Sequence, residues 1–194
     1  MRVISGLARS IRLHAPPGRA CRPTEDRVKE TLFSILGDMR GHRVLDLFAG
    51  TGALGLEALS RQADSVMWVE RERRHIACIK ENLEAVRHAM GDACGETRIL
   101  CCDVRHLSRT LSEARGTVSR VLADPPYHAE DGEYGASELI MDKEFAEWLA
   151  PGCILALEHG SDVILPWSDA ENWEVLRTRS IGIRTLTFAR RISK

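Results

Sequence analysis

The sequence predicts an α/β protein in which a mostly parallel sheet is covered by helices on both faces. Three observations carry that prediction. From residue 42 onward, short apolar runs alternate with amphipathic stretches; a glycine-rich turn joins the first run to the first stretch; and a rigid Asp-Pro-Pro turn follows a later run. Strands alternating with helical patterns are the mark of β-α-β units, which need helices on both faces of the sheet they build.

Residues 1–13 predict a small basic hairpin around Gly6, followed by the turn-rich Ala15-Pro16-Pro17-Gly18. A helix then begins. Thr24 is placed to cap it, Glu25 and Asp26 suit the positive end of its dipole, and Val28, Leu32, Ile35 and Leu36 form its apolar stripe. Parallel strands are expected at 42–48, 65–70, 97–101, 118–123 and 153–158. Between them, 72–87 is a helix, because Ile76, Ile79, Leu83 and Val86 recur at spacings of three and four. Residues 88–96, with Gly91 and Gly95, predict a loop, and 136–149 a further helix ended by Pro151-Gly152. The β-prone segments 173–179 and 184–190, joined across Gly182, predict an antiparallel hairpin at the sheet edge.

The chain has 194 residues, 44% of them hydrophobic and 28% charged. This is the composition of one ordinary globular domain, expected as a basic extension (1–20) on a catalytic core (21–194). Without a readable leader or an apolar run of membrane length, a cytoplasmic monomer is expected. The six cysteines show no C-x-x-C or paired zinc-ligand spacing, so neither a metal nor a disulfide framework is expected. A net charge of -1 excludes binding to nucleic acid through uniform basicity. The distribution says more: Arg2, Arg9, Arg12, Arg19, Arg22, Arg27 and Lys29 crowd the first part of the chain.

The run Asp46-Leu47-Phe48-Ala49-Gly50-Thr51-Gly52-Ala53-Leu54-Gly55 ends the first parallel strand and opens a helix. Its glycines let backbone approach a ligand, and the helix start presents unpaired N–H groups. As G-x-G-x-x-G with Glu70 twenty residues after Gly50, it also fits NAD. Asp46 tips the balance, because a carboxylate there repels a pyrophosphate and suits the cationic methionine end of S-adenosylmethionine. Glu70 can hold both ribose hydroxyls, and Asp103 can accept from an adenine amine. Taken singly, each of these acids has an alternative as a helix cap or a surface charge, which their joint occurrence at strand ends weakens.

Asp124-Pro125-Pro126-Tyr127 follows an apolar strand, expected to end on the same edge of the sheet as the glycine loop. The exocyclic amine of a nucleic-acid base is a poor nucleophile, because its lone pair is delocalised into the ring. The Asp124 carboxylate and the Pro125 carbonyl are two acceptors that can hold the amine hydrogens and localise that pair. Pro125 and Pro126 stiffen the arrangement by fixing φ, and Tyr127 offers a face for stacking. The residues do not distinguish guanine from adenine.

These motifs, with Arg2-Val3-Ile4-Ser5-Gly6, the segment Arg22-Pro23-Thr24-Glu25-Asp26-Arg27-Val28-Lys29-Glu30 and the run 46–60, resemble the bacterial 16S ribosomal RNA guanine-N2 methyltransferases that act on guanine 966. The resemblance covers nearly the whole chain. It implies a Rossmann-like, seven-stranded S-adenosylmethionine methyltransferase sheet with an antiparallel last strand. It implies cofactor contacts from Asp46, Phe48, Ala49, Gly50, Thr51, Gly52, Glu70, Asp103 and Val104, and base contacts from Asp124 and Tyr127. It implies that Arg2, Arg9, Arg12, Arg22, Arg27 and Lys29 contact RNA or close over the methionine end of the cofactor, with 16S RNA in the small ribosomal subunit as partner. The chain departs from the family in carrying Ser10 and Gln62 where glycine is usual, and in a longer 88–96 segment. Outside this family, the residues leave room for an N6-adenine methyltransferase on DNA or RNA. An NAD-dependent oxidoreductase and a non-catalytic RNA-binding protein are the readings from other classes.

Overall fold

The computed structural model describes residues 1–16, 26–126 and 133–192. Along the chain run α1 (Asp26–Leu36), β1 (Arg43–Leu47), α2 (Ala53–Ser60), β2 (Ser65–Glu70), α3 (Arg73–Met90), β3 (Glu96–Cys101), α4 (Leu107–Thr110), β4 (Arg120–Ala123), α5 (Ala136–Met141), α6 (Lys143–Trp148), β5 (Ile154–Gly160), β6 (Trp173–Ile181) and β7 (Arg184–Arg191). The strands form one seven-stranded sheet in the order β3-β2-β1-β4-β5-β7-β6. Two compact units, Met1–Cys102 and Asp103–Lys194, divide the chain.

In the first unit β1 pairs in parallel with β2, and β2 with β3. Every residue of β2 is buried, and all of β1 but its first, as a parallel strand covered on both faces requires. Trp68 on β2 anchors this core, fully buried, with its Nε1–H donating to the Gly52 carbonyl at 3.1 Å. A Cβ on Gly55 would lie 2.3 Å from that ring nitrogen, so only glycine lets α2 pack this close to the sheet.

In the second unit β4 pairs in parallel with β5, β5 antiparallel with β7, and β7 antiparallel with β6. The expected C-terminal hairpin is therefore present, turning at Gly182 with φ 60°.

Four expectations need correction. The helix at 136–149 is two, because the Asp142 carboxylate accepts from the Phe145 amide at 2.9 Å and starts α6 afresh. The loop at 88–96 is shorter, since α3 runs on to Met90 and a single 3₁₀ turn, Gly91–Ala93, leads into β3. The N-terminal hairpin is reduced to one antiparallel bridge between Arg2 and Arg12. In α1 the buried face is Val28, Lys29, Leu32 and Phe33, while Ile35 and Leu36 lie at its margin. The expected cap of that helix, Thr24, lies outside the described residues.

Candidate functional site

The glycine loop is built from left-handed backbone. Phe48, Gly50 and Gly52 have φ of 54°, 53° and 77°, so the chain coils tightly between β1 and α2. Glycine tolerates this conformation, but Phe48 does not adopt it without strain. The Ala49 amide donates to the Val69 carbonyl at 3.1 Å and the Gly52 amide to the Ala49 carbonyl at 2.7 Å.

Two buried carboxylates brace the loop. Asp46, 1% exposed, accepts on Oδ2 from the Gly55 amide at 2.8 Å, which makes it an acceptor for the first turn of α2. Glu70, 7% exposed at the end of β2, accepts on Oε2 from the Gly50 amide and on Oε1 from the Glu72 amide, both at 2.8 Å. His75 Nδ1 lies 3.6 Å from the same Oε1. A carboxylate offers roughly four acceptor positions, so Glu70 retains capacity for two hydroxyl donors.

The sequence reading missed the residues that hold this loop to the N-terminal segment. Asn82 is fully buried on α3; its Nδ2 donates to the Thr51 carbonyl at 3.1 Å and the His14 carbonyl at 3.0 Å, and its Oδ1 accepts from the His14 amide at 2.7 Å. Glu57, fully buried on α2, accepts from the Ile4 and Ser5 amides at 2.7 and 3.0 Å and pairs with Arg61 at 2.9 Å. The Ser60 hydroxyl donates to the Ser5 carbonyl and accepts from the Ala8 amide. The available signal was a lone polar residue inside an apolar helical stripe: Asn82 beside Ile79 and Leu83, Glu57 within Ala-Leu-Gly-Leu-Glu-Ala-Leu.

The basic residues of the first unit divide. Arg9, Arg12 and Arg27 are exposed. Arg2 is exposed too, and pairs with Asp26 at 3.2 Å. Lys29 does not belong with them: it is 0% exposed, its ammonium donating to the Arg2 carbonyl and lying 3.7 Å from Asp26, and burial lowers its pKa. Its placement corrects the expectation of a phosphate contact, since the side chain does not reach the surface. Arg22 lies outside the described residues.

In the second unit Asp103 is half-buried and caps a 3₁₀ turn, its Oδ1 accepting from the Arg105 amide at 2.9 Å, with Val104 buried beside it. Asp124 is half-buried at the end of β4, Pro125 is buried and Pro126 exposed. Tyr127 lies outside the described residues. Tyr134, which the sequence reading passed over, donates its hydroxyl to Asp142 at 2.7 Å, and Arg105 lies over its ring at 6.0 Å. Burial, then the hydrogen bond to Asp142, pushes its phenol pKa upward. Among the described residues no cluster of metal-ligating side chains occurs, and no helix is long and apolar enough to cross a membrane.

The sheet and its glycine loop make a Rossmann-like fold, shared by the solved structure of a putative methyltransferase from Escherichia coli at a TM-score of 0.72, with 29% identity over 100% of this chain and 99% of that one. The solved structure of a hypothetical protein from Thermus thermophilus shares the fold at a TM-score of 0.75, with 25% identity over 97% of this chain and 98% of that one. Ribosomal RNA small subunit methyltransferase D of Haemophilus influenzae is 33% identical over 184 residues, 94% of this chain and 90% of its own. The protein of that name from Escherichia coli is 33% identical over 94% of this chain and 85% of its own. The chain belongs to the family of these methyltransferases, described as Conserved hypothetical protein 95, whose profile matches residues 1–190.

Proposed function

We propose that the protein transfers a methyl group from S-adenosylmethionine to the exocyclic N2 amine of one guanine in 16S ribosomal RNA, within the small ribosomal subunit. The observation that carries the proposal is the family membership over nearly the whole chain. The glycine loop supports the cofactor class. Its nearest acids are buried and already hydrogen-bonded to backbone, which suits a ligand with a cationic centre and ribose hydroxyls better than a pyrophosphate.

When bound, S-adenosylmethionine supplies a methyl group on a positively charged sulfur. The rest falls to the chain. Glu70 holds the ribose, and Asp46 keeps the loop docked on α2 while placing negative charge behind it. Asp103 and Val104 contact the adenine. Asp124 and the Pro125 carbonyl would each accept one amine hydrogen, so that the guanine lone pair stands out of the ring plane. As the N–C bond forms the bond from methyl to sulfur breaks, its electron pair staying on sulfur as a neutral thioether, and Asp124 takes the released proton. Tyr127 stacks on the base. Arg2, Arg9, Arg12, Arg22 and Arg27 meet phosphates.

The test is transfer of labelled methyl to small subunits lacking the modification, with naked 16S RNA and DNA alongside and the labelled nucleoside identified. N2-methylguanosine in the subunit is expected. N6-methyladenosine, or label on DNA alone, overturns the assignment. Asp124→Ala is expected to cut transfer on the order of 100-fold or more while cofactor binding stays measurable; turnover like that of the unaltered protein refutes its role.

A further inference from the structure

The C-terminal hairpin carries charge that the fold does not use. Between Trp173 and Arg191 stand five arginines, no lysine, no aspartate and one glutamate. Three of the arginines are engaged: Arg184 donates to Glu158 at 3.0 Å, Arg190 pairs with Glu174 at 2.6 Å, and Arg191 donates to the Leu149 carbonyl at 2.8 Å. Arg177 and Arg179 are exposed and make no ion pair among the described residues. They stand on β6, an edge strand of the sheet, whose residues from Glu174 to Ser180 are all exposed.

A bulge sets their direction. Val175 pairs with Ala189 and Arg177 with Phe188, leaving Leu176 as the extra residue. Without it, Arg177 and Arg179 would turn to the opposite face of the sheet; with it, both share a face with the Glu174–Arg190 pair. Two residues apart on an antiparallel strand, their Cα atoms are separated by about 6.8 Å. That is comparable to the step between successive phosphates of an extended nucleic-acid strand. Val175 and Leu176, 42% and 47% exposed, add apolar surface beside them.

We infer that this face of β6 is a second RNA contact, distinct from the N-terminal basic surface, in which Arg177 and Arg179 bind neighbouring phosphates of the RNA substrate. It rests on the ribosomal RNA reading above. The occupant follows from charge complementarity, since a row of cations without partners fits a polyanion.

Binding of the full-length protein to a 16S RNA transcript and to unmethylated small subunits is measured across a salt series. Methyl-transfer kinetics and thermal unfolding are run in parallel. The double variant Arg177→Ala, Arg179→Ala is expected to bind about tenfold more weakly and to lose about 1.5 from its log–log salt slope. The loss falls on KM and not on kcat, the unfolding midpoint holds, and the double lysine variant recovers most of the affinity. Unchanged affinity and slope, in a protein that still methylates ribosomal RNA, overturn this inference alone. So does a double alanine variant that self-associates while binding RNA normally, which would make the arginines guards of an open sheet edge. An unaltered protein that neither binds nor methylates ribosomal RNA overturns the parent reading, and this one with it.

Discussion

The glycine loop and the Asp124 turn differ in where their rigidity is written. The first is held by partners distant in sequence: Asn82 spans to His14 and Thr51, Glu57 to Ile4 and Ser5, and Glu70 to Gly50. The second has stiffness written into its own covalent structure by two proline rings. A loop that must cradle a large ligand needs its backbone groups aimed from many directions, and buried polar side chains do that. A turn that presents two acceptors needs only a narrow range of φ. Perturbing the first region is therefore expected to move stability and cofactor binding together, whereas changing Asp124 moves turnover with cofactor binding retained.

The largest expected effect on stability is Gly55→Ala. Its methyl group would meet Trp68 Nε1 at 2.3 Å, Trp68 Cε2 at 2.7 Å and Val66 Cγ1 at 2.9 Å. The indole is fully buried and tied to Gly52, so relief must come from separating α2 from the sheet, at about 3 kcal/mol. Denaturant unfolding measures the loss, and cofactor titration should weaken with it. Next comes Asn82→Ala, which takes the acceptor from the His14 amide and the donor from the Thr51 carbonyl, while the His14 carbonyl keeps the Cys78 thiol at 3.1 Å. About 2–3 kcal/mol is expected. If S-adenosylmethionine then binds as before, the long-range bracing of the loop is not what shapes it.

This division also explains what the sequence disclosed. The five parallel strands and the closing hairpin were legible because buried strands write themselves as apolar runs. The Asp-Pro-Pro turn was legible because its rigidity is local. Asn82 and Glu57 were not, because the groups they tie together across the fold are backbone groups with no side-chain signature, 31 to 68 residues away. Lys29 misled for a related reason. Its charge suggested a surface, yet its amine satisfies a carbonyl that only the folded N-terminal segment brings near. The break between α5 and α6 was written in Asp142, a good capping residue lying inside a helical pattern.

A third prediction extends the comparison to the core of the second unit. His159 on β5 is buried, with Nδ1 3.0 Å from the Gly160 carbonyl and Nε2 3.0 Å from the Thr187 hydroxyl. Burial holds its pKa below the ordinary value of 6.5. The folded state therefore resists a proton that the unfolded chain accepts, so stability is retained above about pH 6.5 and falls as pH drops through the window below it. Unfolding midpoints measured from about pH 7.5 to 5 should decline, and His159→Asn should flatten that decline. An equal slope in the variant assigns the acid sensitivity to other groups.

The smallest effects come from two departures already visible in the sequence. Ser10 and Gln62, where the family resemblance leads one to expect glycine, both hold left-handed backbone, φ 72° and 67°. The turns are kept because their hydrogen bonds are kept: the Ser10 amide donates to the Val3 carbonyl at 2.9 Å and the Gln62 amide to the Leu59 carbonyl at 2.8 Å. Left-handed backbone costs a non-glycine residue about 1–2 kcal/mol. Glycine loses about 0.5–1 kcal/mol of chain entropy in exchange. Ser10→Gly and Gln62→Gly should each stabilise by roughly 0.5–1 kcal/mol, with methyl transfer unaffected. Phe48 is the control, because it has the same sign of φ, 54°, inside the glycine loop. There, strain belongs to the ligand cradle, so Phe48→Gly should relieve it and still weaken cofactor binding. A Phe48→Gly protein that gains stability and binds S-adenosylmethionine unchanged would place that residue with the ordinary turns and take Phe48 out of the cradle.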